Sequence, residues 1–338
     1  MAVSNAMSIK FDNPQPDFSS LRGRSVLVTG SAAGIGLACA TEMAKAGALV
    51  TISDIQETTG HAAARELSLQ GYKVQFVQCD VTSYAAQVEM FRKAIAFGCG
   101  KVDVVIPNAG VIAEKNMFDM IPEGAPTVDS PPPPEPGYVG CNINLQAVYN
   151  TCFLAMHYFR LPRDAADTYK PSIVLVASLA GYVGYPSSTT YSTSKFGIRG
   201  LFYGIRDQAA RATPPVRINL VAPWYIETAM TKAKDFVESE AGILLNVMGF
   251  APMERVTAAI LQFAADERLH GRAAGIFPLA NEDLGDDFEG AYSGIVLSRH
   301  MKDVIIKVTK AMTAIEAQKN ELSRQDSATG VQSGIGAQ

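Results

Sequence analysis

The stretch RSVLVTG (24–30), running directly into SAAGIG (31–36), decides how this chain folds. Its first half is a nearly continuous apolar run, the pattern of a parallel strand buried on both faces. Its second half sets Gly30, Gly34 and Gly36 where that strand must turn sharply into the helical pattern GLACATEMAKAG (36–47). Without Cβ atoms, such a turn lets the backbone approach a pyrophosphate closely. The helix N-terminus beyond it offers free N–H groups and a partial positive charge. Gly30, Ser31, Gly34, Ile35 and Gly36 are therefore the expected phosphate-binding residues. The spacing is G-x-x-x-G-x-G, and its place between strand and helix gives the trio of glycines its meaning.

Six further runs repeat the pattern: ALVTISD (48–54), KVQFVQCD (73–80), KVDVVIPNAG (101–110), PSIVLVAS (171–178), VRINLVAP (216–223) and GIFPLA (275–280). Helical patterns lie between them. The expected fold is α/β: a doubly wound, Rossmann-type parallel sheet of seven strands with helices on both faces. The second strand ends at Asp54, whose carboxylate can accept both hydroxyls of an adenosine ribose. It would repel a 2′-phosphate, and one unit-charge pair at ~4 Å and an effective dielectric near 20 is worth about 4 kcal/mol. No Lys or Arg stands at Ser31, Ala32, Ala33 or Ile55 to offset that charge, so NAD is expected over NADP.

Composition excludes several classes. With 338 residues and 48% hydrophobic content, the chain has ample apolar surface for a core, which rules out disorder throughout. Its 29 basic and 33 acidic residues give a net charge of −4, with no basic stripe for nucleic acid. No run approaches the ~18 apolar residues of a membrane helix. Residues 1–25 lack the basic head and apolar run of a signal peptide, so a cytoplasmic protein is expected. Five cysteines without a CxxC, and the scattered His61, His157, His270 and His300, suggest neither disulfides nor a metal site.

The domain reading follows. Residues 1–20 form a loose arm and 21–280 one cofactor-binding catalytic domain. Residues 117–138 are a proline-rich insertion, with Pro131 to Pro134 at its heart. Residues 229–255 cover a substrate lid, 281–326 a helical extension and 327–338 a disordered tail.

After the fifth strand comes Ser178, and thirteen residues on the chain reads Tyr191-Ser192-Thr193-Ser194-Lys195. Tyr191 and Lys195, four apart, share one face of a helix. A free tyrosine titrates near 10, and bringing it to neutrality takes about 4 kcal/mol, which a nearby ammonium can supply by favouring the phenolate. Ser178 can donate a hydrogen bond to a substrate oxygen and hold it beside Tyr191.

With these residues in view, the sequence resembles the short-chain dehydrogenase/reductase family over about residues 21–280. TGxxxGIG, the N-A-G after the fourth strand and S…YxxxK together carry the likeness. The resemblance implies catalytic roles for Asn144, Ser178, Tyr191 and Lys195, with Asn144 supporting a proton relay through water and the lysine. It implies adenine contacts from Asp80 and Val81, and a cleft shaped by Asn108, Ala109 and Gly110. It implies a nicotinamide carboxamide held by Pro223, Ile226 and Thr228, and a nicotinamide ribose bound by Lys195. Two positions depart from the family pattern: Pro107 stands for the first Asn of N-N-A-G, and Trp224 for the glycine after Pro223. The resulting P-W-x-x-x-T is similar to fungal polyketide-alcohol dehydrogenases and to distant relatives of hydroxyprostaglandin dehydrogenases.

The implied reaction is NAD-dependent oxidation of a lipophilic secondary alcohol to a ketone, with Tyr191 as general base. Tyr182, Tyr185, Trp224 and Tyr225 are expected near the substrate, beneath a lid formed by FVESEAGILLNVMGF (236–250). The alternatives are an NADPH-dependent carbonyl reductase and a nucleotide-binding scaffold without catalysis. A homodimer or homotetramer is expected by resemblance, through the helices carrying Asn144 and Tyr191. No nucleic acid or metal partner is implied.

Overall fold

The computed structural model of the chain describes residues 17–184, 188–232 and 249–284. All of them fall in one compact unit, Met1–Gly285. Seven parallel strands run β1 (Ser25–Thr29), β2 (Leu49–Asp54), β3 (Val74–Gln78), β4 (Val104–Ile106), β5 (Ser172–Val176), β6 (Arg217–Pro223) and β7 (Ala273–Ile276). A short eighth strand, β8 (Asn281–Asp283), pairs antiparallel with β7 and extends the expected sheet of seven. The run read as 275–280 thus divides. Pro278 has no N–H to give a ladder, and Phe277 N–H turns back to the Ala280 carbonyl. The sheet order is β3-β2-β1-β4-β5-β6-β7-β8, so the direction of winding reverses between β1 and β4. A ligand crevice opens at that reversal, beyond the C-terminal ends of the strands.

The apolar runs are continuous because both sheet faces are covered. Val26 and Val28 of β1 face one layer, packed by α1 (Gly34–Lys45), α2 (Glu57–Leu69) and α6 (Met253–Ala265) through Met43, Leu67 and Phe263. Leu27 faces the other layer, packed by α3 (Tyr84–Phe97), α4 (Val148–Tyr158) and α5 (Thr189–Ala210) through Phe91, Leu154 and Phe202. The chain enters α4 through a π-helical turn, Asn142–Ala147, that carries Asn144.

Charge holds the opposite ends of the strands. Asp103, fully buried just before β4, accepts from Ser25 N–H at 2.9 Å and from Arg163 Nη1 at 2.5 Å. Asp167 pairs with Arg24 and with Lys101. Burial opposes its charge, yet these two cations hold its carboxyl well below the usual carboxylate range. At the start of β6, buried Arg217 donates to the Phe263 and Ala264 carbonyls, which end α6 without an intrahelical partner.

The insertion has one 3₁₀ turn, Met117–Met120, and otherwise irregular, largely exposed backbone. The lid segment 236–248, Tyr185, and nearly all of the arm, extension and tail read from sequence lie outside the described residues.

Candidate active site

A cavity of about 670 Å³ runs along the C-terminal ends of the strands, from Asp54 at the end of β2 and Asp80 after β3 to Pro223 and Trp224 at β6. The glycine turn forms part of its wall. Gly30 and Gly34 both have positive φ, +61° and +58°. A Cβ on Gly30 would meet the Ala109 backbone at 2.6 Å, and one on Gly36 the Gly30 carbonyl at 2.3 Å. The glycines therefore let the turn pack against the N-A-G segment. Asn108 closes that contact, its Nδ2 donating to the Thr29 and Gly30 carbonyls at 3.0 and 2.9 Å. The N-cap of α1, Ala33, makes no side-chain cap hydrogen bond, so the first turn of the helix keeps its electrostatic attraction for an anion.

Asp54 lies at the edge of this turn, almost buried. Its Oδ2 accepts from Ala32 N–H and its Oδ1 from Gln56 N–H, both at 3.0 Å. A carboxylate offers about four lone-pair sites, so both oxygens can still accept from ribose hydroxyls. Asp80 and Val81 also line the cavity, and Asp80 Oδ1 is held by Thr82 N–H and Oγ1.

At the other end, Ser178, Tyr191 and Lys195 line one wall. Ser178 caps a 3₁₀ turn, its Oγ accepting from Ala180 N–H at 3.1 Å. That bond uses a lone pair and leaves the O–H to donate. Tyr191 and Lys195 stand one turn apart on α5, with Nζ 5.6 Å from the tyrosine ring centroid. Nζ donates to the Val176 carbonyl at 3.1 Å, and burial lowers its pKa to about 8. The ammonium thus survives at neutral pH beside the phenol.

Asn144 stands behind this wall, fully buried, and does not line the cavity. Its amide pairs both ways with Val111, Oδ1 accepting from N–H and Nδ2 donating to C=O at 2.8 Å. Nδ2 also donates to Ser194 Oγ, which donates in turn to the Tyr191 carbonyl. Asn144 therefore fixes the helix entry, the loop after β4 and the Tyr191 turn to one another.

Of the residues named from sequence, Gly30, Gly34, Ile35, Asp54, Asp80, Val81, Asn108, Ala109, Gly110, Ser178, Tyr191, Lys195, Pro223, Ile226 and Thr228 meet at the cavity. Ser31 and Gly36 do not. Ser31 is fully buried, its Oγ donating to the Val28 carbonyl and accepting from Ser53 N–H, and its own N–H going to the Ser53 carbonyl. It ties β1 to β2 and has no donor left for a phosphate. Tyr182 packs under Arg199, with the guanidinium 4.0 Å from its ring centroid, rather than lining the cavity. Trp224 and Tyr225 do line it, as expected.

Two contributions escaped sequence reading. Glu114 accepts from Gly140 N–H and from Thr190 Oγ1, joining three segments next to Tyr191. Ile112, Ile143, Val183 and Met230 add apolar wall to the cavity. Ser194 could have been found, since a serine three residues after Tyr191 can bond back to its carbonyl.

The family model described as short chain dehydrogenase matches residues 24–238. The chain belongs to the short-chain dehydrogenase family. It is an oxidoreductase acting on a CH–OH group with a nicotinamide cofactor. It is 40% identical to a 5′-hydroxyaverantin dehydrogenase from Dothistroma septosporum, over 86% of this chain and 96% of that one. It is 34% identical to a 5′-hydroxyaverantin dehydrogenase from Emericella nidulans, over 82% and 92% of the two chains. An NADP-dependent dehydrogenase from a Phoma species is 30% identical, over 78% and 77%. A crystal structure of a short-chain type dehydrogenase/reductase from Mycobacterium marinum superposes with a TM-score of 0.63 at 23% identity, covering 78% of this chain and 97% of that one. The last shows the same fold.

Proposed function

We propose that this protein oxidises a lipophilic secondary alcohol to a ketone with NAD, in fungal-type polyketide metabolism. The substrate is of the class that two of its relatives name, 5′-hydroxyaverantin or a related alcohol. The observation that carries the reading is the juxtaposition of Tyr191 and Lys195, one turn apart over the cavity that also holds Ser178.

The cofactor supplies the hydride acceptor. Ser178 O–H donates to the substrate oxygen and holds it. The Tyr191 phenolate takes the hydroxyl proton as hydride leaves the same carbon. The Lys195 ammonium favours that phenolate and would bind the nicotinamide ribose, and Asn144 keeps the wall in register and supports the proton relay. Pro223, Ile226 and Thr228 would hold the carboxamide end. The Thr228 methyl lies 3.6 Å from the point a Cβ on Gly34 would occupy, which brings this segment against the glycine turn. Asp80 and Val81, which line the cavity beyond β3, would contact the adenine.

Asp54 supports NAD, because its charge would face a 2′-phosphate with no Lys or Arg at Ser31, Ala32, Ala33 or Ile55 to offset it. The name of the Phoma relative favours NADP as the second reading. A homodimer or homotetramer through α4 and α5 belongs to the same proposal, and the exposed Tyr149, Phe153 and Phe196 on those helices support it. So does a cytoplasmic setting, with all five cysteines free.

The test is a set of bulky secondary alcohols with NAD, followed as NADH absorbance. Tyr191→Phe should lower kcat by roughly a hundredfold or more while NADH still binds. Unchanged turnover in that variant would refute the assignment.

A further inference from the structure

We infer that Trp224 is a specificity-determining residue, a fixed aromatic platform that selects flat aromatic alcohols over saturated alcohols of the same size. The inference rests on the alcohol-oxidising reading above.

Trp224 is the only tryptophan of the chain and lies at the β6 end of the cavity, opposite Asp54 and Asp80. Three contacts hold it. Its backbone N–H donates to the Ile276 carbonyl at 2.8 Å, and its indole Nε1 to the Gly249 carbonyl at 3.2 Å. Tyr225 meets it edge to face, ring centroids 4.9 Å apart at 87°. The segment carrying Gly249 is itself pinned, because Ala251 N–H donates to the Tyr225 carbonyl and Ile226 bridges Ala251. An indole whose N–H is already spent within the protein offers a ligand only its apolar surface and ring electrons.

The surroundings make that surface useful. Trp224 is half-buried and lines the same cavity as Ser178 and Tyr191. The nearby wall is apolar, with Leu179, Val183 and Met230 and, among the described residues, no charged side chain apart from Lys195. A rigid aromatic presents contact area at little entropic cost. A flat ring can lie on it or meet it edge-on, whereas a saturated ring of equal volume holds itself off by its axial hydrogens. Such aromatic pairing, beyond burial alone, is worth roughly three- to tenfold in affinity.

The experiment compares 1-(biphenyl-4-yl)ethanol with its fully saturated bicyclohexyl analogue, using NAD and the full-length chain. Wild type should show a KM for the biaryl roughly three- to tenfold lower. Trp224→Leu should raise that KM by the same factor, leave the saturated analogue within about twofold and change kcat little. Trp224→Phe should restore most of the preference. Because the chain has one tryptophan, its emission is a second and independent reading. The emission of wild type should shift and saturate with the biaryl and move far less with the saturated analogue. Equal KM values in wild type, equal losses in Trp224→Leu, or an emission blind to the biaryl would each overturn the platform. If the emission responds while neither alcohol is oxidised, the platform stands and the proposed reaction falls.

Discussion

Lys195 answers two opposed demands. Its charge is wanted beside Tyr191, yet burial penalises that charge and lowers its pKa from 10.5 to about 8. With the folded-state pKa below the unfolded one, the native state carries a penalty at every pH below about 8, relieved as pH rises from there to 10.5. Without cofactor, Lys195→Met should therefore be more stable than wild type at pH 7 by on the order of 3 kcal/mol. The gap should close between pH 8 and 10.5, read from urea titrations at each pH. A gap independent of pH would show that the lysine is not desolvated. Asp54 makes the second residue-scale prediction. Asp54→Asn removes the charge but keeps one acceptor for the turn. Preference for NAD over NADP should fall by roughly a thousandfold, from a charge–charge term of about 4 kcal/mol. Stability should drop by about 1–2 kcal/mol, because one backbone N–H then faces an amide NH₂. An unchanged ratio of kcat/KM for the two cofactors would remove Asp54 from cofactor choice.

Between elements, the buried amide of Asn144 has the widest reach. It satisfies both backbone groups of Val111 and anchors Ser194, so it locks the π-helical turn to the loop after β4 and to α5. Asn144→Ala strands the partly buried N–H and C=O of Val111. The expected loss is about 2–4 kcal/mol in unfolding free energy, with a fall in kcat larger than any change in KM for alcohol. Retained stability would mean that water replaces the amide. None of this could be read from sequence, because the partners lie 33 and 50 positions away. What could be read was local: a strand followed by three glycines, a carboxylate at a strand end, and Tyr191 and Lys195 four apart. Ser31 shows the limit of that reading. It sits among the phosphate-binding glycines, but the direction of its side chain is set by β2, a strand 22 residues on.

Across the whole molecule, the ion cluster at the N-terminal ends of the strands is separated from the cavity by the length of the sheet. Asp103→Ala leaves the partly buried Arg163 without its main partner. That should cost about 3–5 kcal/mol of stability. KM for alcohol and NAD should stay within about twofold, checked by thermal melting together with steady-state kinetics. A selective loss of cofactor affinity would instead mean that the strand ends communicate. The sequence by itself determined the α/β class, the parallel sheet and most of the cavity residues. Each of those signals is a short-range pattern, either apolar periodicity or the spacing of a few residues along one element. Only the tertiary structure decided that Ser31 faces the sheet, that Asn144 braces rather than lines the site, and that β8 extends the sheet. It alone showed Trp224 held by the Ile276 and Gly249 carbonyls. Each of these depends on which distant backbone groups are left to be satisfied once the helices close over both faces of the sheet, and the chain brings those groups together only by folding.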